Sequence, residues 1–155
     1  MDTRVIFERV FEVAESSKDQ KGAVGACLVR DGHIILCQAS SDDGVEHAEY
    51  RLIKNLSTSS ITVLPTDILY LSLEPCSRRT PGGPGEVLGD CTTHIIDSGI
   101  KQVVFAVQDK EVVTRDTRER LTKAGIMYQW ADDAEIAKRA REIFNNSCAD
   151  PNGHI

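Results

Sequence analysis

One histidine and two cysteines constrain this chain more than any other feature, because the three side chains can bind the same ion. His47 precedes the dipeptide Pro75-Cys76 along the chain, and residues 77–90 separate Cys76 from Cys91. One imidazole and two thiolates are enough to hold zinc while its fourth position stays open for water. We therefore predict a fold that brings these three side chains together around a zinc ion.

A carboxylate stands two positions after the histidine, in the tripeptide His47-Ala48-Glu49. Zinc with three protein ligands lowers the pKa of its bound water to about 7. We predict that Glu49 takes the proton of that water, passes it to a ring nitrogen of the substrate and later protonates the departing amine. The pattern is close to the H-x-E…P-C-x-x-C signature of zinc deaminases, although the two cysteines stand much further apart here.

Each of these residues also has a purely structural explanation. Glu49 is an acid of the kind that a helix start favours, and buried thiols are common core residues. A closed structural zinc site would need a fourth ligand, for which His94, just after Cys91, is the candidate. The combination of the histidine, the glutamate and the two cysteines with the predicted order of strands and helices favours the catalytic site.

Apolar periodicity and turn residues predict an α/β fold with five strands. The turn Asp31-Gly32 joins two strands as an antiparallel hairpin, whereas a helix separates the last two strands, which should therefore be parallel. Helices on both faces give a three-layer α/β/α sandwich around a mixed five-stranded sheet. The predicted strands are 23–30, 33–38, 67–73, 103–107 and 126–130. The predicted helices are one capped by Asp2 or Thr3, one that starts at His47, one from Cys91 to Gly99, one over 114–124 and one capped by Asp132 or Asp133, and residues 78–90 are predicted to be a loop.

Composition limits the domain organisation and the partners. A chain of 155 residues with 41% hydrophobic content suits one domain with a proper core, predicted over residues 1–145 and followed by a loose tail, 146–155. The net charge of −6 provides no basic surface for a long nucleic acid. The sequence contains no apolar run near the ~18 residues of a membrane span, and its five cysteines are an odd number. We expect a soluble protein of the reducing cytoplasm.

The wider sequence resembles the cytidine-deaminase-like superfamily and, within it, the pyrimidine deaminases of riboflavin biosynthesis. The matching stretches are Val24-Gly25-Ala26, His47-Ala48-Glu49, Leu73-Glu74-Pro75-Cys76-Ser77, Cys91 and Ser98-Gly99-Ile100-Lys101-Gln102-Val103-Val104. In these deaminases, as here, the second cysteine lies beyond an Arg-Thr-Pro-type loop. The resemblance covers residues 3–130 and implies a cytidine-deaminase-like fold, a zinc-dependent deamination, a homodimer and a hydrogen bond from the backbone N–H of Ala48 to the substrate ring.

The substrate-binding residues are predicted partly from a departure from that family. The bacterial riboflavin deaminases carry Asn-Pro-x-Val-Gly on the first strand, where this chain has Lys21-Gly22-Ala23-Val24-Gly25. Fungal relatives also lack the asparagine and act on the already reduced ribityl compound, so they are the better comparison. Arg78, Arg79 and Lys21 are candidates for binding a phosphate, while a solvated arginine loop is the alternative.

The predicted substrate is a small phosphorylated ribitylaminopyrimidine. The alternatives are a nucleoside, nucleotide or transfer-RNA deaminase, and an inactive deaminase-like binding module, against which the retained Glu49 argues.

The remaining reactive side chains are expected to be structural. We predict that Cys27 and Cys37 are small hydrophobic residues of two core strands and that Cys148 is an ordinary thiol of the tail. Trp130 at a strand end is predicted to pack rather than to stack on a base. The histidines without a predicted role are His33 and His154.

Overall fold

The computed structural model describes residues 2–148. The helices are α1 (Thr3–Glu15), α2 (Ala48–Thr58), α3 (Cys91–Ser98), α4 (Glu111–Thr114), α5 (Thr117–Lys123) and α6 (Ala134–Ser147). The strands are β1 (Gly25–Arg30), β2 (His33–Ala39), β3 (Ile68–Leu71), β4 (Gln102–Phe105) and β5 (Met127–Trp130). No helix of this described part is long and apolar enough to cross a membrane.

The strands form one mixed sheet in the order β2-β1-β3-β4-β5. β1 pairs antiparallel with β2 through the predicted hairpin and antiparallel with β3, while β3–β4 and β4–β5 are parallel pairs. The predicted five-stranded mixed sheet, with its last two strands parallel, is therefore confirmed. Helices α3 and α5 provide the crossovers that parallel neighbours require.

Two hydrophobic clusters lie on opposite faces of the sheet. Successive residues of β1 alternate between them: Cys27 and Val29 join a cluster with α1 and α6, whereas Ala26 and Leu28 join a cluster with α2, α3 and α5. The first cluster includes Phe7 and Val10, which are both fully buried. The three-layer sandwich is confirmed, and α1, whose predicted cap Asp2 accepts a hydrogen bond from the N–H of Arg4, covers the sheet as expected.

Some boundaries differ from the prediction. The helix expected over 114–124 begins later, at Thr117, as α5, and a separate short helix, α4, ends at Thr114. Between the two helices the N–H of Asp116 donates to Ser77 Oγ at 3.1 Å. The predicted loop 78–90 contains a short 3₁₀ helix, Glu86–Leu88. Helix α6 continues to Ser147, past the predicted domain end at residue 145, and Cys148 is buried behind it. Of the predicted tail, residues 149–155 lie outside the described part of the chain.

The prediction for Cys27 and Cys37 as separate core residues is wrong, because the two form a disulfide. They stand directly opposite each other in the register of β1 and β2, with a Cα–Cα distance of 4.2 Å. Directly opposed residues of antiparallel strands approach to about 4.5 Å at non-hydrogen-bonded positions. Cys27 is fully buried, so the bond lies against the α1–α6 side of the core.

A partly buried ion pair holds the chain that leads into β3. Arg30, at the end of β1, donates from Nε and Nη2 to the two carboxylate oxygens of Asp67, each at 2.8 Å. Asp67 is fully buried and also accepts the N–H of Leu64 at 2.8 Å. The hydrogen bonds from Arg30 lower the pKa of Asp67. The charged carboxylate is therefore the form that the fold stabilises.

We predict that Asp67→Asn lowers the free energy of unfolding by about 1.5–3 kcal/mol at neutral pH, because charge-assisted hydrogen bonds are lost in a buried place. The carboxylate stabilises fully above the unfolded pKa of about 3.9, and this contribution is lost as the pH falls through the lower folded pKa. Urea unfolding of both proteins as a function of pH measures the difference. Glu12→Gln, which breaks an exposed pair with Arg9, is the control, and an equal loss in both variants would contradict the prediction.

Candidate active site

Three separate segments bring the predicted zinc ligands together. His47 is the N-cap residue of α2, Cys76 lies in the loop that follows β3, and Cys91 is the first residue of α3. Nδ1 of His47 lies 3.4 Å from Sγ of Cys91 and 3.7 Å from Sγ of Cys76. All three donor atoms lie within 4.8 Å of one another. The N–H of Cys91 also points at Sγ of Cys76, at 3.4 Å, as expected for a thiolate near a helix start.

The donor set and its spacing fit a zinc ion. With Zn–N bonds near 2.0 Å and Zn–S bonds near 2.3 Å, neighbouring donors of a tetrahedral site lie ~3.5 Å apart. Within residues 2–148, the group of close donor atoms consists of His47, Cys76 and Cys91. His94 does not join it, since its Nε2 lies 2.6 Å from the carbonyl oxygen of Leu88. The arrangement therefore has the three donors and open position of a catalytic site rather than the four donors of a closed one.

The two thiols and the imidazole influence one another strongly. A hydrogen bond with Cys91, aided by His47, holds the pKa of the Cys76 thiol well below its usual value. The same bond and burial raise the pKa of Cys91. Burial would lower the pKa of His47, but its hydrogen bond to Cys76 and the charge of that thiolate outweigh burial and raise it. The thiol of Cys76 therefore loses its proton more readily than that of Cys91. Metal binding would release the protons that remain on the donor atoms.

Glu49 lies in the first turn of α2, beside the donors. Its side chain is buried, with 4% exposed, and its Oε2 lies 3.6 Å from Sγ of Cys91. Burial raises the pKa of the carboxyl group, while the nearby His47 opposes the shift. A carboxyl group whose pKa moves up toward neutrality can both accept and return a proton near pH 7.

Buried threonines hold the backbone on both sides of the Pro75-Cys76 peptide bond. The carbonyl of Cys76 accepts the N–H of Thr92 at 3.0 Å and its Oγ1 at 2.8 Å, and the carbonyl of Pro75 accepts Oγ1 of Thr117 at 2.8 Å. Both threonines are fully buried. Thr92 could have been noticed in the sequence because it is next to Cys91. No neighbouring residue indicated a role for Thr117.

A pocket opens beside Glu49 and is lined by charged groups of both signs. The predicted residues Lys21, Arg78 and Arg79 all line it. Two acids that the sequence analysis missed, Asp19 and Glu74, line it as well and are almost fully buried. Trp130 is not part of the pocket wall and donates Nε1–H to the carbonyl of Ala106 at 3.0 Å.

The two arginines differ in their surroundings. Arg78 pairs with Asp116 at 3.4 Å, and both side chains are about half exposed. Arg79 is more enclosed and donates to the carbonyl of Val45. A Cβ atom at Gly85 would overlap the guanidinium group of Arg79, so the absence of a side chain there gives Arg79 its place. Arg79 is therefore the better positioned of the two to face a ligand.

Ala48 is fully buried as the first residue of α2. The first N–H groups of a helix have no carbonyl partner within the helix. The N–H of Ala48 is thus of the kind that can donate to a ligand at this helix start.

The far end of α6 forms part of the pocket wall. Phe144 lines the pocket, and a Cβ atom at Gly22 would overlap its ring. Gly22 has a φ of +121°, which residues with a side chain rarely adopt. One turn further, Oγ of Ser147 accepts the N–H of Ala23 at 2.7 Å. Helix α6 is therefore fixed against the chain segment that enters β1.

A family profile described as the cytidine and deoxycytidylate deaminase zinc-binding region matches residues 2–107, which include the three donors and Glu49. The chain belongs to this deaminase family. Its zinc-binding region and cytidine-deaminase-like fold are therefore as predicted.

Relatives from riboflavin biosynthesis are similar to this chain. RibD, the riboflavin biosynthesis protein of Aquifex aeolicus (strain VF5), is 32% identical over 124 residues, which cover 78% of this chain and 32% of RibD. A second relative is a diaminohydroxyphosphoribosylaminopyrimidine deaminase/5-amino-6-(5-phosphoribosylamino)uracil reductase from Thermotoga maritima, known from its crystal structure. The two structures superpose with a TM-score of 0.74 and 26% identity, over 91% of this chain and 38% of the Thermotoga chain. The chain thus spans less than half of each of these relatives. The Rib2 deaminase of Aspergillus oryzae shares the fold, with a TM-score of 0.74, 22% identity and coverage of 97% and 94%.

We expect the purified protein to carry one zinc ion per chain, because one set of three donors is present in the described residues. Cys76→Ala and Cys91→Ala should lose the zinc and unfold at lower temperature, since bound metal adds to the free energy of folding. Elemental analysis and thermal unfolding measure both effects. Cys148→Ala, which changes a buried cysteine outside the donor group, is the matched control, and a metal ratio near zero or near two in the unaltered protein would contradict the expectation.

Proposed function

We propose that this chain is a zinc-dependent pyrimidine deaminase of riboflavin biosynthesis that releases ammonia from a phosphorylated ribitylaminopyrimidine. The observation that carries the proposal is the position of a buried glutamate, Glu49, beside the donor group His47, Cys76 and Cys91 at the edge of a pocket. The identity to RibD supports riboflavin biosynthesis as the pathway.

The proposed chemistry divides among a few residues. His47, Cys76 and Cys91 would hold zinc, which supplies a Lewis acid that makes water nucleophilic near neutral pH. Glu49 accepts a proton from the attacking water and delivers it to the ring nitrogen beside the attacked carbon. It then takes the second proton from the hydroxyl group now on that carbon and delivers it to the departing amine. The amine leaves as ammonia and a carbonyl remains on the ring. The N–H of Ala48, at the start of α2, orients the ring by a hydrogen bond.

The charged wall of the pocket suits the other end of the substrate. Arg79 and Lys21 line the pocket that Glu49 borders, and a guanidinium group binds phosphate by charge-assisted hydrogen bonds. Arg78 contributes less in this proposal, because its partner Asp116 already neutralises its charge. The ribityl chain would span the distance between the ring and the phosphate.

Two alternatives differ in the substrate or in the chemistry. A nucleotide deaminase is the first, since the dCMP deaminase of cyanophage S-TIM5 has the same fold, with a TM-score of 0.63 and 18% identity over 84% of this chain and 98% of that one. An inactive binding module is the second, but such a module has no need of a buried carboxyl group beside the metal donors. We also propose that the protein acts as a homodimer in the cytoplasm.

We predict that Glu49→Gln keeps zinc and loses turnover, because the amide has nearly the same shape but carries no exchangeable acidic proton. General acid–base groups contribute about 10²–10⁴-fold, and this one acts in several steps, so we expect a loss at the top of that range. Ammonia release and zinc content, measured on the same sample, test the prediction. A variant that retained a tenth of the activity would show that another group carries the proton.

The phosphate contact predicts a substrate preference. If it resembles other hydrogen bonds to charged groups, worth about 1.5–3 kcal/mol, removal of the phosphate or Arg79→Ala should each lower kcat/KM by roughly one to two orders of magnitude. The two changes together should cost little more than one alone, while Arg78→Ala should have the smaller effect. The preference is measured as the rate of ammonia release from five compounds. These are the phosphorylated ribityl compound, its dephosphorylated form, cytidine, deoxycytidylate and a transfer-RNA anticodon stem. A preference for one of the last three would overturn the proposed substrate.

A further inference from the structure

The long separation of the two cysteines raises a geometric problem. In a Cys-x-x-Cys arrangement the short backbone itself holds the two sulfur atoms close, whereas here residues 77–90 intervene. A loop of this length leaves the distance between its ends poorly defined, and closing it costs conformational entropy. Something outside the loop must therefore hold its two ends together next to Cys76 and Cys91.

One side chain contacts both ends of this loop. Nη1 of Arg120, on α5, lies 3.2 Å from the carbonyl oxygen of Ser77 and 3.0 Å from Oδ1 of Asp90. Ser77 directly follows Cys76, and Asp90 directly precedes Cys91. A guanidinium nitrogen of this kind carries two hydrogens, so it can serve both acceptors at once. Nη2 of the same group donates to Oγ1 of Thr93, inside α3.

The acceptor at the Cys91 end is itself part of a helix start. Asp90 is the N-cap residue of α3, and its Oδ1 also accepts the N–H of Thr93 at 2.8 Å. A capping carboxylate fixes the direction in which the first turn of a helix begins. Because Cys91 is the first residue of that turn, holding Asp90 holds Cys91.

The loop end next to Cys76 is bonded to residues 113–117, which lie just before Arg120 in the chain. Ser77 donates its N–H to the carbonyl of Val113 at 2.7 Å, and its Oγ accepts the N–H of Asp116 at 3.1 Å. Thr117, one turn before Arg120 on α5, holds the carbonyl of Pro75. Helix α5 is in turn seated by Leu121, which is fully buried.

We propose that Arg120 is a positioning residue that fixes the distance between Cys76 and Cys91 by joining the two ends of the loop between them. This inference rests on the proposed role of the two cysteines as zinc ligands. Arg120 lies outside residues 2–107, the matched zinc-binding region, so the long-loop metal site depends on a helix that the region does not include. Arg120 touches neither the donors' sulfur atoms nor the substrate in this proposal.

The test compares Arg120→Met with Arg118→Met in the full chain. Both variants remove an arginine from α5, but the side chain of Arg118 is exposed. Partners that orient metal ligands typically contribute about 10–100-fold to metal affinity, so we expect zinc to pass to a chelator about 10–100 times faster from Arg120→Met. Arg118→Met should match the unaltered protein within about twofold. Arg120→Lys keeps the charge on a shorter side chain and loses the second nitrogen that bonds Thr93, so it should lie between the two.

Three further variants distinguish a positioning role from a general loss of stability. Ile136→Val removes one buried methylene group on the other face of the sheet, and it should leave the zinc release rate unchanged although it lowers the unfolding temperature. Asp90→Asn keeps an acceptor for the cap but weakens its pair with Arg120, so it should speed zinc release. Adding it to Arg120→Met should then have little further effect.

Each outcome decides between the alternatives. Three results would each overturn the positioning role. The first is an equal zinc release rate in Arg120→Met and Arg118→Met, and the second is additive effects of Asp90→Asn and Arg120→Met in the double variant. The third is zinc release from Ile136→Val as fast as from Arg120→Met. An unaltered protein that binds no zinc would overturn the proposed zinc site itself, and the failure would be visible before any variant is compared.

Discussion

The backbone carbonyls of Pro75 and Cys76 depend on hydrogen bonds from helices rather than from strands. β3 ends at Leu71, so the segment that carries Cys76 has left the sheet, yet it lies in the interior, where an unpaired carbonyl is costly. Thr92 and Thr117 supply the missing donors from α3 and α5. The sulfur of Cys76 therefore has a defined place only because two helices from later in the chain are packed against this irregular segment.

Two parts of the chain therefore contribute different features to the site. Residues 2–107 contain the three donors and Glu49, and this is the part of the chain that matches the zinc-binding region of the deaminase family. The later residues bring the bonds from Val113, Thr117 and Arg120 to the loop ends, and the ring of Phe144 to the pocket wall. The donor group and the contacts that hold it thus come from different parts of the sequence.

The sequence was sufficient for the features that depend on local pattern. The Asp31-Gly32 turn, the helix starts at His47 and Cys91, and the alternation of apolar residues in β1 are set by neighbours a few positions away, and all appear as predicted. The spacing of three donor residues with a glutamate was enough to anticipate that they meet.

Features that depend on long-range contact were missed. The Cys27–Cys37 disulfide follows from the register of two strands, which places the residues face to face. Between α4 and α5, Asp116 bonds to the distant Ser77. Arg78 and Arg79 were equivalent candidates in the sequence. In the structure Arg78 pairs with Asp116, whereas Arg79 donates to the carbonyl of Val45. Thr117 and Arg120 had no local signal at all, because the partners described above lie between 27 and 43 positions earlier in the chain.

The contact of Phe144 with Gly22 also has an evolutionary consequence. Where bacterial riboflavin deaminases carry Asn-Pro, this chain has Lys21-Gly22, and the backbone there, with a φ of +121°, is one that proline cannot adopt because its ring holds φ near −65°. The ring of Phe144 also occupies the space that a side chain at position 22 would need. A side chain at position 22 would therefore require the ring at position 144 to move or to be replaced. Lineages that diverged from this chain should keep both or exchange both, so that the two positions covary although 121 others separate them.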